Sequence, residues 1–282
     1  MLKIIKIIHV IQTTKILQGN RIIFLIFFLL THCMSFSLRN MRPLGLMLKK
    51  VFSYFPHPEF IIKNSQGVWS VFPFNDGMTI SADYFEEELR EWPGKTNQRR
   101  IFIDIGANIG KYTLIASNIF KYSNILSIEA NPVTAELLRK NINLNNLEQK
   151  VLINQVAVGS FEGEVIIQSD RHHLGGGNIV SLKDVKTISM DESFRVKLCT
   201  VDSIFEKTSL SPKDIDFIKI DIEGMEKSAL EGMVSILSNM SKGSAIMIEI
   251  SQNKDQVKKM LSDYGFELRE KILNDYLFMK VL

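Results

Sequence analysis

Two short segments carry residues whose types and spacing could bind a small zwitterionic nucleoside. The first, IFIDIGANIGKYT, places Asp104 at the end of an apolar run, Gly106 and Gly110 in the turn that follows, and a helical pattern directly after them. Glycine permits backbone angles and close approaches that other residues forbid. The N-terminus of the following helix offers N–H groups to a carboxylate. Asp104 lies where its own carboxylate could pair with an ammonium, so this turn suits an amino-acid group.

The second segment, SIEANP, ends another apolar run with Glu129, nineteen residues beyond Gly110. An ionised carboxylate at this position can accept hydrogen bonds from both ribose hydroxyls. The next apolar run, VLINQVAV, brings Asn154 or Gln155 to the side of an adenine ring. Either residue could bond to the adenine edge or be a solvated strand end.

The turn residues discriminate between two nucleoside cofactors. A nicotinamide dinucleotide requires the pattern G-x-G-x-x-G, but this chain has Asn108 at the second glycine position and Lys111 at the third. An acid two positions before the first glycine is also unsuited to a diphosphate. The pattern therefore favours S-adenosylmethionine, with a nicotinamide-dependent oxidoreductase as the first rival and a turn with incidental glycines as the plain structural alternative.

A further segment, IDFIKIDIEGMEKSALEGM, brings acids to the end of a strongly apolar strand. Acids at such a place are costly unless they are used. Asp221 could orient the methyl donor or act as a general base toward a hydroxyl, and Glu223 could bind the substrate or share the proton. In the alternative interpretation, Glu223 and Glu226 only cap the next helix.

The elements that must position these residues follow an alternating pattern. From Arg100 onward, short β-rich runs alternate with helical segments, which predicts an α/β fold with a parallel sheet covered on both faces. Predicted strands cover 101–105, 125–130, 151–158, 164–169, 196–201, 215–222, 245–250 and 275–282, the last at an edge; predicted helices cover 83–92, 111–120, 132–145 and 226–237. We predict a short strand or hairpin cap within 51–100 and an irregular insertion, RHHLGGGNIVSLKD, over 171–184.

Four motifs together resemble a known family. IDIGANIGKYT, SIEANP, TVDSI and IDFIKIDIEGMEKSALEGM are similar to the successive motifs of the FkbM-type methyltransferases, over approximately residues 98–250. The resemblance implies a Rossmann-like class I methyltransferase fold with a mostly parallel seven-stranded sheet, and methyl transfer mainly to oxygen on sugars or secondary metabolites. At the matching positions it assigns Asp104, Gly106, Asn108, Gly110 and Glu129 to the cofactor, and Asp221 and Glu223 to the rim of the active site. It does not choose the acceptor.

The acceptor class is narrowed by what the sequence lacks. The strand before Asp221 ends in DIEG rather than in the Asp/Asn-Pro-Pro-aromatic loop that holds a planar amine. We therefore expect methylation of a hydroxyl on a glycan or small-molecule metabolite. The first 58 residues contain eight Lys and Arg residues and no acid. Because the whole chain has a net charge of +3, the remaining residues carry a net charge of −5. A negative net charge disfavours nucleic acid as a partner. A binding module without turnover is the second rival.

The division of the chain follows from composition. The 282 residues, 45% of them hydrophobic, predict one large domain with an appendage. We expect a basic apolar extension over 1–50, a lead-in segment over 51–97 and the methyltransferase domain over 98–282. Cys33 and Cys199 are too few for a disulfide scaffold and fit a cytoplasmic protein. His172 and His173 lack the spaced acids or cysteines of a metal site, so we expect no metal and a flexible substrate loop there.

The N-terminal extension has four interpretations. Its longest uninterrupted apolar run, IIFLIFFLL over 22–30, has nine residues, and a membrane span needs about 20. The extension could be an interfacial anchor with peripheral membrane contact, a partly embedded hairpin or span, a secretion signal, or the product of a misassigned start with Met34, Met41 or Met47 as later starts. Fractionation of the full chain against one that begins at Met47 tests membrane association, and equal solubility would remove the anchor.

Overall fold

The computed structural model describes residues 14–19, 21, 23–25, 59–72, 100–170, 173–180, 193–272 and 274–282. The expected helix over 83–92, together with His172, Trp92 and most of the N-terminal extension, lies outside these residues. None of the helices within the described ranges is long and apolar enough to cross a membrane. Peripheral membrane contact stays a prediction.

A small antiparallel sheet precedes the main domain. It contains β1 (Lys15–Gln18), β2 (Phe60–Lys63) and β3 (Val68–Val71) in that order, so the hairpin expected within 51–100 is present. Trp69 is fully buried and donates its indole N–H to Asn64 Oδ1 at 3.0 Å, which makes it a packing residue. Phe24 of the extension packs edge-on against Phe60, with ring centroids 5.4 Å apart.

The main domain contains eleven further strands and six α-helices among the described residues. The strands are β4 (Ile101–Ile105), β5 (Asn124–Ile128), β6 (Val151–Asn154), β7 (Ala157–Val158), β8 (Gly163–Asp170), β9 (His173–Val180), β10 (Ser193–Cys199), β11 (Ile215–Ile220), β12 (Ala245–Glu249), β13 (Phe266–Ile272) and β14 (Asp275–Lys280). The helices are α1 (Lys111–Asn118), α2 (Pro132–Leu144), α3 (Val201–Glu206), α4 (Glu226–Glu231), α5 (Val234–Asn239) and α6 (Lys254–Asp263), with a 3₁₀ turn at Pro212–Asp214.

The central sheet has seven strands in the order β13-β14-β12-β11-β4-β5-β6. Strands β6, β5, β4, β11 and β12 are parallel, while β14 is antiparallel to both of its neighbours. Helices α1 and α2 cover one face, and α3 to α6 cover the other. The predicted Rossmann-like α/β fold with helices on both faces is therefore confirmed.

The sequence predicted that the last strand lies at an edge of the sheet, and this prediction is wrong. Strand β14 lies between β12 and β13, and β13, which the sequence did not predict, forms the edge. The physical reason is burial: Tyr276, Leu277 and Phe278 are buried, whereas β13 exposes charged side chains that suit an edge.

Two further predictions are corrected in a four-stranded sheet with the order β7-β10-β8-β9. The strand expected over 151–158 is divided, because β6 ends the central sheet at Asn154 and β7 pairs with β10 instead. Residues 173–180, expected to be irregular, form β9 in a hairpin with β8. Pairing with a long partner strand overrides the low β-propensity of Gly175 to Gly177. The predicted helix over 226–237 is likewise two short helices, α4 and α5.

Candidate active site

One face of the central sheet changes from apolar to polar at the carboxyl edge of its strands. Phe102, Phe217, Met247 and Leu277 belong to one core cluster on this face. Two positions nearer the edge, each of their strands carries a polar residue, and β5 does the same after Ile125. These residues lie on the same face, with Glu249 and Asp275 one step nearer the edge than the others, and we call them the polar band: Ser127, Asp104, Lys219, Glu249 and Asp275.

Asp104 is the most buried acid of the polar band, with 1% of its surface exposed. Its Oδ2 accepts a hydrogen bond from Thr113 Oγ1 at 2.6 Å, and Thr113 Oγ1 also lies 2.7 Å from Ser127 Oγ. Its Oδ1 is buried and has no hydrogen-bond partner among the described residues. Burial raises the pKa of Asp104 to about 6, against the lowering effect of Thr113 and of the Lys219 charge. This carboxylate has one oxygen left for a donor that the described residues do not supply.

The turn after β4 is shaped by left-handed backbone conformations. Gly106, Asn108 and Gly110 have φ angles of 81°, 51° and 99°. A side chain on Gly106 would place its Cβ 1.9 Å from the backbone oxygen of Asp221, so only glycine fits between the two strand ends. Asparagine tolerates the left-handed region better than most residues, which explains Asn108 where a dinucleotide turn has glycine.

Glu129 ties this turn to the end of β5. Its Oε2 accepts a hydrogen bond from the Asn108 N–H at 2.9 Å, and its Oε1 accepts one from the Asn131 N–H at 2.8 Å. Burial raises the pKa of Glu129 to about 7, although backbone donors at Asn131, Asn108 and Ala130 favour the ionised form. A carboxylate oxygen can accept more than one hydrogen bond, so Glu129 can still accept from hydroxyl donors.

The structure separates the two candidates for the adenine edge. Gln155 Oε1 accepts a hydrogen bond from Arg139 at 2.9 Å. The Nδ2 of Asn154 is buried without a hydrogen-bond partner among the described residues. The backbone carbonyl of Asn154 accepts a hydrogen bond from the Glu129 N–H at 3.1 Å. Asn154 therefore holds the unused donor, and its cofactor role stays a prediction.

Asp221 and Glu223 follow β11 but have different surroundings. The Asp221 side chain is 37% exposed, and its Oδ2 lies 3.7 Å from Lys219 Nζ. Glu223 is an exposed residue in a left-handed turn with φ 47°. The neighbouring Glu226 is buried and accepts from the Gly224 N–H at 2.7 Å and from Ser251 Oγ at 3.1 Å. Glu226 thus makes a structural capping contact, while Asp221 lies beside the polar band.

Sequence reasoning missed the cation at the centre of the polar band. Lys219 is buried, its Nζ donates to Asp275 Oδ1 at 2.5 Å, and it lies 5.1 Å from the centre of the Tyr112 ring. Side chains alternate between the two faces of a strand, so the sequence places Lys219 on the same face as Asp221. Lys219 was missed because the run around it is strongly apolar. Asp275 was missed because its strand was expected at the edge.

Glu249 lies between these charges at the end of β12. It pairs in register with Asp275 across the sheet, and Asp221 follows the adjacent strand. Burial, Asp221 and Asp275 raise the pKa of Glu249 to about 7, while Lys219 and a hydrogen bond from Asn274 lower it. The side chain is half-buried, so it lies near the interior charges and is still accessible from solvent.

Comparison with known proteins agrees with the geometry. Residues 104–276 match the methyltransferase FkbM domain. The chain is 24% identical over 206 residues to the hexuronic acid methyltransferase AglP of Haloferax volcanii, covering 72% of this chain and 75% of that protein. It is 24% identical over 189 residues to the methyltransferase sdnD of Sordaria araneosa, covering 59% of this chain and 73% of that protein.

A solved structure of methyltransferase FkbM from Methylobacillus flagellatus is similar at a TM-score of 0.47 and 18% identity. That similarity covers 70% of this chain and 46% of the other, so the chain spans less than half of that protein.

Proposed function

The chain belongs to the FkbM methyltransferase family, and on that premise we propose that it transfers a methyl group from S-adenosylmethionine to a hydroxyl of a glycan or small-molecule metabolite. The observation that carries this proposal is the polar band. Within and beside it, Asp104 Oδ1 and Asn154 Nδ2 have no hydrogen-bond partner among the described residues, and the partly exposed Asp221 follows the strand next to that of Asp104.

The residues present fit the methyl donor. The unpartnered Oδ1 of Asp104 can accept from the ammonium, the carboxylate of Glu129 can accept from the ribose hydroxyls, and Nδ2 of Asn154 can donate to the adenine edge. The close approach of Gly106 to Asp221 brings the donor-binding turn beside the acid expected to face the acceptor. When bound, S-adenosylmethionine supplies a methyl group on a good sulfonium leaving group.

The chain's own contribution to methyl transfer is mainly placement. In-line displacement requires the acceptor oxygen to be held opposite the leaving group, and such orientation supplies a large part of the acceleration. We assign Asp221, at the end of β11, to hold the acceptor by accepting a hydrogen bond from it. Glu223, exposed on the following turn, is placed to contact a more distant part of the acceptor.

The proposal for oxygen rests on the DIEG strand end and on the sugar class named for one relative. AglP is a hexuronic acid methyltransferase, which supports a sugar acceptor for this chain. The rival binding module predicts that no acceptor is methylated at all.

We expect methyl transfer to oxygen in a matched acceptor panel. The panel contains methyl glucopyranoside, the corresponding methyl glucosiduronate and the corresponding methyl 2-aminoglucoside, each with S-adenosylmethionine labelled in the methyl group. Mass spectrometry of the products should show the label on a hydroxyl oxygen. Asp221→Ala should reduce the amount of labelled product. Label found only on nitrogen would contradict hydroxyl methylation, and an active wild type would exclude a pure binding module.

A further inference from the structure

We propose that Glu249 is a further catalytic residue, the group that accepts the proton of the acceptor hydroxyl. This inference rests on the proposed function. Glu249 ends β12 on the same face and at the same edge as Asp104 and Lys219, and Asp221 follows the neighbouring strand β11. Its half-buried side chain is enclosed by strands on both sides of β12, so its position is fixed by the sheet and not by a loop.

The charges around Glu249 favour a proton on it more than on its neighbours. Asp221 and Lys219 face it from β11, Asp275 faces it from β14, and the Asn274 side chain donates to it from the turn before β14. The Lys219 ammonium is engaged by Asp275 at 2.5 Å and lies 3.7 Å from Asp221. The lysine thus neutralises the two flanking acids most directly, and Glu249 is left between two carboxylates.

A carboxylate in this position suits proton removal near neutral pH. Burial and the flanking acids raise the pKa of Glu249 to about 7, and a base is most effective when its pKa lies near the working pH. Above this pH Glu249 is ionised and able to accept a proton; below it the group is already protonated and the reaction slows.

The chemical step balances with the groups named. The acceptor oxygen forms the new bond to the methyl carbon as the carbon–sulfur bond breaks, and that electron pair stays on sulfur. The hydroxyl proton passes to the Glu249 carboxylate. The products are the methyl ether, S-adenosylhomocysteine and neutral Glu249, which returns its proton to solvent through the exposed side of the cleft.

The test is a pH titration of the full chain labelled with ¹³C at the glutamate carboxyl carbons, followed by nuclear magnetic resonance. We expect two glutamate signals with midpoints near 7, and the one that is absent in Glu249→Gln and retained in Glu129→Gln belongs to Glu249. Asp275→Asn should move this midpoint down, and Lys219→Met should move it up, each by about one unit for charges at this spacing. A role in folding alone does not predict opposite shifts.

The pKa of Glu249 should also govern the pH dependence of kcat, measured with saturating S-adenosylmethionine and the sugar that the acceptor panel identifies. We expect kcat to fall below pH 7, and Glu249→Gln to lower kcat by about 100-fold and remove that fall. A Glu249 midpoint near the ordinary value of 4.5, or kcat in Glu249→Gln within threefold of wild type, would overturn the proposal. If no sugar is methylated, the proposed function fails, while the titration still decides whether Glu249 has the proton affinity that the role requires.

Discussion

Glu129→Ala weakens binding of S-adenosylhomocysteine by about 100-fold, because each charge-assisted hydrogen bond to a ribose hydroxyl contributes on the order of 1.5 kcal/mol. The substitution also removes the acceptor for the Asn108 and Asn131 N–H groups, so the donor-binding turn loses its connection to β5. Isothermal titration of the purified chain measures the loss. The matched control is Glu136→Ala on α2, an exposed glutamate that pairs with Arg139, which should leave affinity unchanged.

The pH dependence of the same binding has a definite sign. The pKa of Glu129 is raised to about 7, so its ionised form, which accepts the ribose hydroxyls, is present above that pH. Affinity for S-adenosylhomocysteine should be full near pH 8 and fall as the pH drops through 7. In Glu129→Ala this part of the fall should vanish. Equal affinity at pH 6 and pH 8 in the wild type would show that Glu129 does not hold the ribose.

Among substitutions that add a single methyl group to the site, we expect Gly106→Ala to lower the stability of the fold most. Its Cβ would lie 1.9 Å from the backbone oxygen of Asp221, and neither strand end can move without breaking the Asp221 N–H hydrogen bond to Ile105. We expect the free energy of unfolding to fall by more than about 3 kcal/mol, or the chain to fail to fold. Urea denaturation followed by circular dichroism measures the effect.

Gly243→Ala is the control for Gly106→Ala. Gly243 has a φ angle of 89°, close to the 81° of Gly106, but no atom in the described part of the chain lies within 4 Å of its added Cβ. This variant isolates the cost of a left-handed backbone, about 1 to 2 kcal/mol. If both variants lose the same stability, the approach of Gly106 to Asp221 is not the constraint that shapes the turn.

The strands that carry the site could be predicted from local sequence. Strands β4, β5, β11 and β12 are continuous apolar runs, as expected for parallel strands buried on both faces, and their ends bring Asp104, Glu129 and Asp221 to one edge. Periodicity alone does not tell which strand pairs with which. For that reason the sequence misplaced β14 and did not reveal Asp275 as the partner of Lys219.

The polar band was the part of the site most hidden from sequence. Lys219 stands inside an apolar run, and Ser127 and Thr113 are ordinary polar residues until the register brings them beside Asp104. The Gly-rich segment at 173–180 read as irregular because glycine has low strand propensity, yet pairing with β8 determines its backbone. In the polar band and in residues 173–180, long-range contacts determine the structure, and the local sequence pattern does not reveal them.

Isothermal titration of the wild-type chain with S-adenosylhomocysteine, with NADH as the control, tests the central claim most directly. The account predicts saturable one-to-one binding of S-adenosylhomocysteine and none of NADH, since Asn108 and Lys111 replace the glycines that a dinucleotide requires. Binding of NADH, or no binding of S-adenosylhomocysteine by a chain that circular dichroism shows to be folded, would contradict it.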